Sequence, residues 1–224
     1  FAFFDSPGDS EARAVVLDAL GARVTGESDV VDVLEDAFWW ARARYDDGSM
    51  LVVGMSTGVE PTSAVAQHLD ALGAPLAPPV ALPAFAAASR VRAVSTTAGA
   101  LVAWLEAPSG DPTSQERALR VFPVDREGNV LAAPTTVSTL PAYRDGGHSL
   151  AHGGAGDDVW ATYVESEPGD PYGQRTRVIA LRLSERGELR ERLELAEGEF
   201  FRAPIVSTHA ADAVVVYTAL EGTA

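Results

Sequence analysis

Cysteine is absent from the 224 residues, and so is lysine, all 17 basic residues being arginine. Without cysteine there is no disulfide framework, no thiol nucleophile and no thiolate-held metal. Basic charge is scarce beside acidic charge, 17 residues against 32, which leaves a formal net charge of −15. That balance excludes a general nucleic-acid surface or an anionic-membrane surface, since both are held by dense positive charge. No apolar run approaches the roughly 20 residues that a spanning helix needs, so no membrane insertion is expected. Gly-x-Ser-x-Gly, His-Glu-x-x-His and a phosphate loop are also missing, which removes the commonest hydrolase, zinc-protease and nucleotide signatures. The remaining composition, 46% hydrophobic and 22% charged, is that of a globular domain with a substantial core.

What is present is a repeat. The stretch from Ala100 to Val130 recurs 59 residues on without an insertion. Trp104 falls on Tyr163, Glu106 on Glu165, Gly110-Asp111-Pro112 on Gly169-Asp170-Pro171, and Gly128 on Gly187. Leu119, Phe122 and Val124 meet Val178, Leu181 and Leu183, so the apolar pattern repeats with the turn residues. A fixed period of this length marks one supersecondary unit copied several times.

A second regularity is the turn Asp-x-x-Gly, at Asp18/Gly21, Asp70/Gly73 and Asp125/Gly128, with Ser184/Gly187 as a variant. Glycine supplies the positive φ of a tight hairpin, and Asp or Ser bonds its own backbone there. Pro79 and Pro134 follow two of these turns, where a missing ladder donor is tolerated only near a strand end or edge. Between the hairpins lie paired β-rich runs: Ala41–Tyr45 with Met50–Met55, Arg90–Val94 with Ala100–Leu105, His148–His152 with Val159–Val164, and Pro204–Ser207 with Ala213–Thr218. With the strands of one unit lettered A to D, the chain reads BCD, ABCD, ABCD, ABCD, AB. Ser10–Ala22 and Ser63–Ala74 taken alone favour amphipathic helices ending at glycine. Both align with 118–130, which carries Pro123 in mid-run, and the repeat overrides the local propensity.

Units of about 50 residues with four strands and a glycine hairpin suit the blade of a β-propeller. The pattern Val102-Ala-Trp-Leu-Glu106, then Leu119-Arg-Val-Phe-Pro-Val-Asp-Arg-Glu-Gly128, then Pro134, resembles the repeats of exported or surface propeller proteins predicted in high-GC bacteria. The expected fold is therefore all-β, a single propeller domain over 1–224 with units near 1–37, 38–84, 85–142, 143–197 and 198–224. A closed four-blade ring would hold one strand too many, so just over four blades of a larger propeller, about six to eight, are expected. Missing blades or a partner chain then cover the faces left open. The resemblance implies an extracellular, periplasmic or cell-surface protein. Phe1 in place of Met, inside a strand-like run, leads us to expect that the natural N-terminus lies upstream, together with any export signal.

In a propeller the A strands line the channel and the segments leading into them form one rim. Those segments hold Trp39, Trp40, Arg42, Arg90, Arg92, Tyr143, Arg144, His148, Phe201 and Arg202. The candidate ligand-binding set is Trp40, Arg42, Arg90, Arg92, Tyr143, Arg144, His148 and Arg202, because guanidinium groups between aromatic walls hold carboxylate, sulfate or phosphate bidentately. The competing use of these arginines is ion pairing with carboxylates of adjacent blades, for which Asp46, Asp47 and Asp145 are at hand. Glu106 and Glu165 precede Gly-Asp-Pro loops that lack the spacing of a calcium loop. His148 and His152 share a strand face but have no third ligand nearby in sequence, so no metal and no cofactor is expected.

These features lead us to expect a non-catalytic binding or scaffolding module whose rim takes a protein or an acidic glycan. The alternatives are a hydrolase or lyase of an acidic polysaccharide, with His148 and Tyr143 as its acid–base pair, and a structural spacer of a surface protein. Fold alone does not choose among them.

Overall fold

The computed structural model describes residues 2–4, 13–15, 28–29, 37–56, 64–83, 88–107, 109, 117–138, 147–153, 157–166, 175–199, 201–209 and 212–219. Every regular element among them is a β-strand, and the strands form five antiparallel meanders. The first sheet holds β1 (Ala2–Phe4), β2 (Arg13–Val15) and β3 (Ser28–Asp29). The second runs β4 (Ala37–Arg44), β5 (Met50–Ser56), β6 (Ala64–Leu69), β7 (Val80–Ala81). The third runs β8 (Ala88–Thr96), β9 (Gly99–Glu106), β10 (Ala118–Val124), β11 (Thr135–Ser138). The fourth runs β12 (His148–His152), β13 (Asp158–Ser166), β14 (Arg175–Ser184), β15 (Leu189–Glu199). The fifth pairs β16 (Phe201–His209) with β17 (Asp212–Ala219).

This is the strand order read from the repeat, three then four, four, four and two. The helix favoured locally over 63–74 is instead β6 and its turn, because Val65 and Ala66 pair onward with β7 while Met50 to Met55 pair on the other side. Of 10–22, the described residues Arg13–Val15 are also strand.

The C–D turns form as their sequence requires. Asp70 Oδ1 accepts from the amides of Leu72 and Ala74, both at 2.8 Å. Asp125 Oδ1 accepts from Asn129 N at 2.7 Å, and in the variant turn Ser184 Oγ accepts from Glu188 N at 3.1 Å. The hydroxyl thus makes the same bond at longer range. Pro79 and Pro134 sit just before β7 and β11, the outer edge strands, where no ladder donor is lost.

From the second sheet to the fifth, neighbouring sheets pack against each other with first strands side by side: β4 beside β8, β8 beside β12, β12 beside β16. One apolar core lies between the second and third sheets, around Leu51, Val53, Ala66, Val102, Trp104 and Phe122. Another lies between the third and fourth, around Leu101, Leu119, Val121, Tyr163, Ile179 and Leu181. Each large buried side chain contributes about 1.5–3 kcal/mol. Trp104 meets Phe122 edge-on at 4.4 Å between ring centres, the geometry that aromatic quadrupoles favour.

The step from one sheet to the next is the same twice over. A β-carbon on Gly128 would stand 2.7 Å from Ala66 Cβ and 3.5 Å from Leu51 Cδ1. On Gly187 it would stand 2.7 Å from Val121 Cγ2 and 3.4 Å from Leu101 Cδ1. Ala66 and Val121 each lie four residues before their turn aspartate, so equivalent atoms touch across both interfaces. Glycine therefore serves here in two ways, for its positive φ and for the absence of a side chain.

Candidate functional site

The leading half of β8 is distorted. Ser89 pairs with Leu105 and Arg92 with Ala103, so Arg90 and Val91 together oppose Trp104 in a β-bulge. Arg90 has φ 57°, alone among the described non-glycine residues in being positive, a conformation that costs of order 1–3 kcal/mol and recurs at functional sites. Val91 drops into the core behind, while both flanking arginines reach toward the start of β12. Arg90 Nη1 lies 3.8 Å from the point where a β-carbon on Gly147 would stand. Arg92 Nε donates to the carbonyl of His148 at 3.2 Å, and its Nη1 to that of Val91 at 2.9 Å.

His148 is 3% exposed and pairs with Tyr163 on β13. Its Nε2 lies 3.4 Å from the Ala103 carbonyl; a carbonyl only accepts, so Nε2 carries the proton. Nδ1 is then a buried lone pair without a partner. Burial, then Arg92, push the imidazole down to about 3 against the opposing pull of the Ala103 bond, with Arg90 adding to the depression. At neutral pH it is the neutral imidazole, its Nε2 proton committed to the Ala103 carbonyl, and its burial presents no face to a substrate, which argues against an acid–base role.

Arg92, half-buried, departs from the ion-pairing scheme. Burial, then the neighbouring Arg90, hold it below the ordinary guanidinium range, though it stays charged. Among the described residues its bonds go to main-chain carbonyls and to no carboxylate. Arginines elsewhere do pair: Arg120 with Glu106 at 3.0 Å, Arg126 with Asp47 at 2.7 Å, Arg182 with Asp158 at 2.5 Å and Arg192 with Glu165 at 2.6 Å. Two guanidinium groups thus lie on one bulge, and Arg92 meets no carboxylate among the described residues.

The other rim candidates are placed less fully. Arg42 is exposed on β4 opposite Val52. Trp40 and Arg202 are placed by backbone alone, opposite Gly54 and Thr218. Tyr143 and Arg144 lie outside the described residues. The rim therefore brings Arg90, Arg92 and His148 together.

Sequence reasoning missed two polar centres. Glu165, 2% exposed, accepts from the Tyr163 hydroxyl, from Ser138 Oγ at 3.2 Å and from Arg192. Its repeat counterpart Glu106 accepts from Trp104 Nε1 at 3.3 Å. The signal was the shared aromatic-x-Glu spacing, which puts both side chains on one strand face. At the far end of β8, Glu185 accepts from Thr97 N at 2.7 Å and from the Thr97 hydroxyl, and His152 Nε2 stands 2.8 Å away. Burial pushes Glu185 up, but the Thr97 bonds and then His152 outweigh it and leave the carboxyl below its usual range. A cleft of about 690 Å³ opens beside this clasp, lined by Ala98, Pro123, Leu131 and Arg186 among others. The two strand-sharing histidines thus answer to different partners, and no group of three His, Asp or Glu side chains arranged for a metal occurs among the described residues.

No family model matches this chain, and no curated protein matches it. Among solved structures, the hydrazine synthase of Kuenenia stuttgartiensis is similar at 12% identity over 94% of this chain and 66% of that one, with a TM-score of 0.49. A mutant apocarotenoid oxygenase of Synechocystis is similar at 12% identity over 91% of this chain and 48% of that one, with a TM-score of 0.50. The chain thus spans just under two thirds of the first and about half of the second, and at this identity the likeness to the second is one of fold alone.

Proposed function

We propose that the five sheets are consecutive blades of a β-propeller with the A strands innermost, and that the protein is a non-catalytic binding module. What supports the arrangement is the repeated step, since the same turn-on-strand contact applied at each interface generates a closed ring or an arc of one. What supports binding is a single observation: Arg92, beside Arg90 on a strained bulge, gives only two of its five N–H donors to carbonyls and faces no described carboxylate. The ligand group is a carboxylate or sulfate, presented by a protein or by an acidic glycan at the cell surface or in the periplasm.

Titration of the folded protein with uronate-rich, sulfated and neutral oligosaccharides, and with an acidic peptide, tests this reading. Arg92→Gln should weaken capture of the anionic probe about tenfold or more, as loss of a charge-assisted bond does. Unchanged affinity in a variant with an unaltered unfolding midpoint would remove Arg92 from the site.

A further inference from the structure

We infer that β17 is an interior strand of the functional molecule, and that its free edge and the outward face of the fifth sheet seat a C–D hairpin of this same repeat. The inference goes beyond the anion seat and does not depend on it.

The outer edge strands of the complete sheets are each protected against pairing. β7 has two residues and follows Pro78-Pro79. β11 has four and follows Pro134. β15 is long, but carries Arg190, Glu191, Arg192, Glu194, Glu197 and Glu199. Shortness, proline and charge are the means by which natural edges avoid pairing. β17 has only Asp212 at its turn end: from Ala213 to Ala219 it is Ala-Val-Val-Val-Tyr-Thr-Ala, uncharged, without proline and rich in β-branched residues. Its described neighbour is β16 alone. Its counterparts β5, β9 and β13 each have a C strand on the other side.

Register identifies what is missing. Thr96 pairs with Gly99 at the third sheet's A–B turn and His209 with Asp212 at the fifth's. Val214 and Val216 therefore stand where Leu101 and Ala103 stand. Leu101 and Ala103 are fully buried under the fourth sheet, whereas Val214 is 57% exposed, Val216 63% and their neighbour Ile205 60%. Val215, between them, packs back onto Val164 and Val178 of the fourth sheet, as Val102 packs back onto the second. The backward face is thus used in the ordinary way, and the forward face and edge keep the pattern of a surface made to be covered. A C strand completes the ladder, and its D strand supplies the charged or short edge that β17 lacks.

The test lengthens the chain so that residues 167–199, the B–C loop with β14 and β15, follow residue 220. Hydrogen exchange of β17 and binding of a hydrophobic dye are read in the parent chain, the extended chain, and one extended with the same residues scrambled. The outward amides of β17 should exchange about tenfold or more slowly in the extended chain, with reduced dye binding, and Val216→Arg should diminish the gain in dye exclusion. Equal exchange in the parent, extended and scrambled chains would overturn the inference. So would a parent chain that sediments as a dimer with β17 already protected, which would make a second copy the occupant.

Discussion

Arg126 donates to Asp47 across the second and third sheets at 2.7 Å, and the same guanidinium lies 4.7 Å over the ring of Tyr45. Its counterpart 59 residues on is Glu185, which accepts from Thr97 across the third and fourth sheets. In these two copies one position of the repeat therefore holds the C–D turn against the preceding A–B turn, with the charge reversed between them. The first pair is open to solvent on both sides, whereas in the second the Glu185 side chain is only 10% exposed and Thr97 is exposed. Arg126→Ala should shift the unfolding midpoint little, and less still in high salt. Glu185→Ala should cost about 1–3 kcal/mol, since it removes charge-assisted bonds from the Thr97 amide and hydroxyl. Urea unfolding at two ionic strengths measures both, and a larger loss for Arg126→Ala would contradict the assignment.

Gly187→Ala should destabilise by about 2–4 kcal/mol, combining a left-handed backbone with a methyl pressed into Val121. The φ of 82° is unaffected by the neighbour, whereas the 2.7 Å contact is. Val121→Ala in the same chain should thus recover part of the loss, and the double-mutant cycle should be non-additive. Strict additivity would show that the close approach carries no strain.

Acid should expose the burial of His148. Its folded value near 3 lies below the ordinary 6.5, so below about pH 6.5 the unfolded chain takes up a proton that the folded chain refuses. Stability from this group is intact above that pH and falls by about 1.4 kcal/mol per pH unit on the way down toward the folded value. The carboxylates also titrate there, so the measurement is the difference between wild type and His148→Gln. Parallel profiles from pH 6.5 to 4 would mean that the imidazole is not buried neutral.

Glu165→Ala should be more damaging than Glu106→Ala. Removing Glu165 leaves the Tyr163 hydroxyl buried without its acceptor, a loss of about 1–3 kcal/mol, whereas the exposed Arg192 passes to solvent. Glu106 holds Trp104 by a longer bond and Arg120 by a contact that is not aligned as a hydrogen bond. Burial, then Glu165, also raise the Tyr163 phenol. Its ultraviolet titration should consequently lie above that of an exposed tyrosine in wild type and move down in Glu165→Ala.

The sequence by itself determined the strand order. Asp70, Asp125 and Ser184 with their glycines act within five residues, through bonds of a side chain to its own turn, and Pro79 and Pro134 act on a single donor. Such local chemistry is visible along a chain, and the 59-residue period extended it to positions where propensity pointed to helix. The polar centres were a tertiary matter. Arg92 finds the His148 carbonyl 56 residues away, and Thr97 finds Glu185 88 residues away. Which arginine is paired and which histidine is buried depends on how one sheet settles on the next. The bulge at Arg90 is set by that stacking as well, because Val91 must fill the core behind it while Arg90 and Arg92 turn toward β12. Periodicity reports which face of a strand is apolar; only packing decides what that face meets.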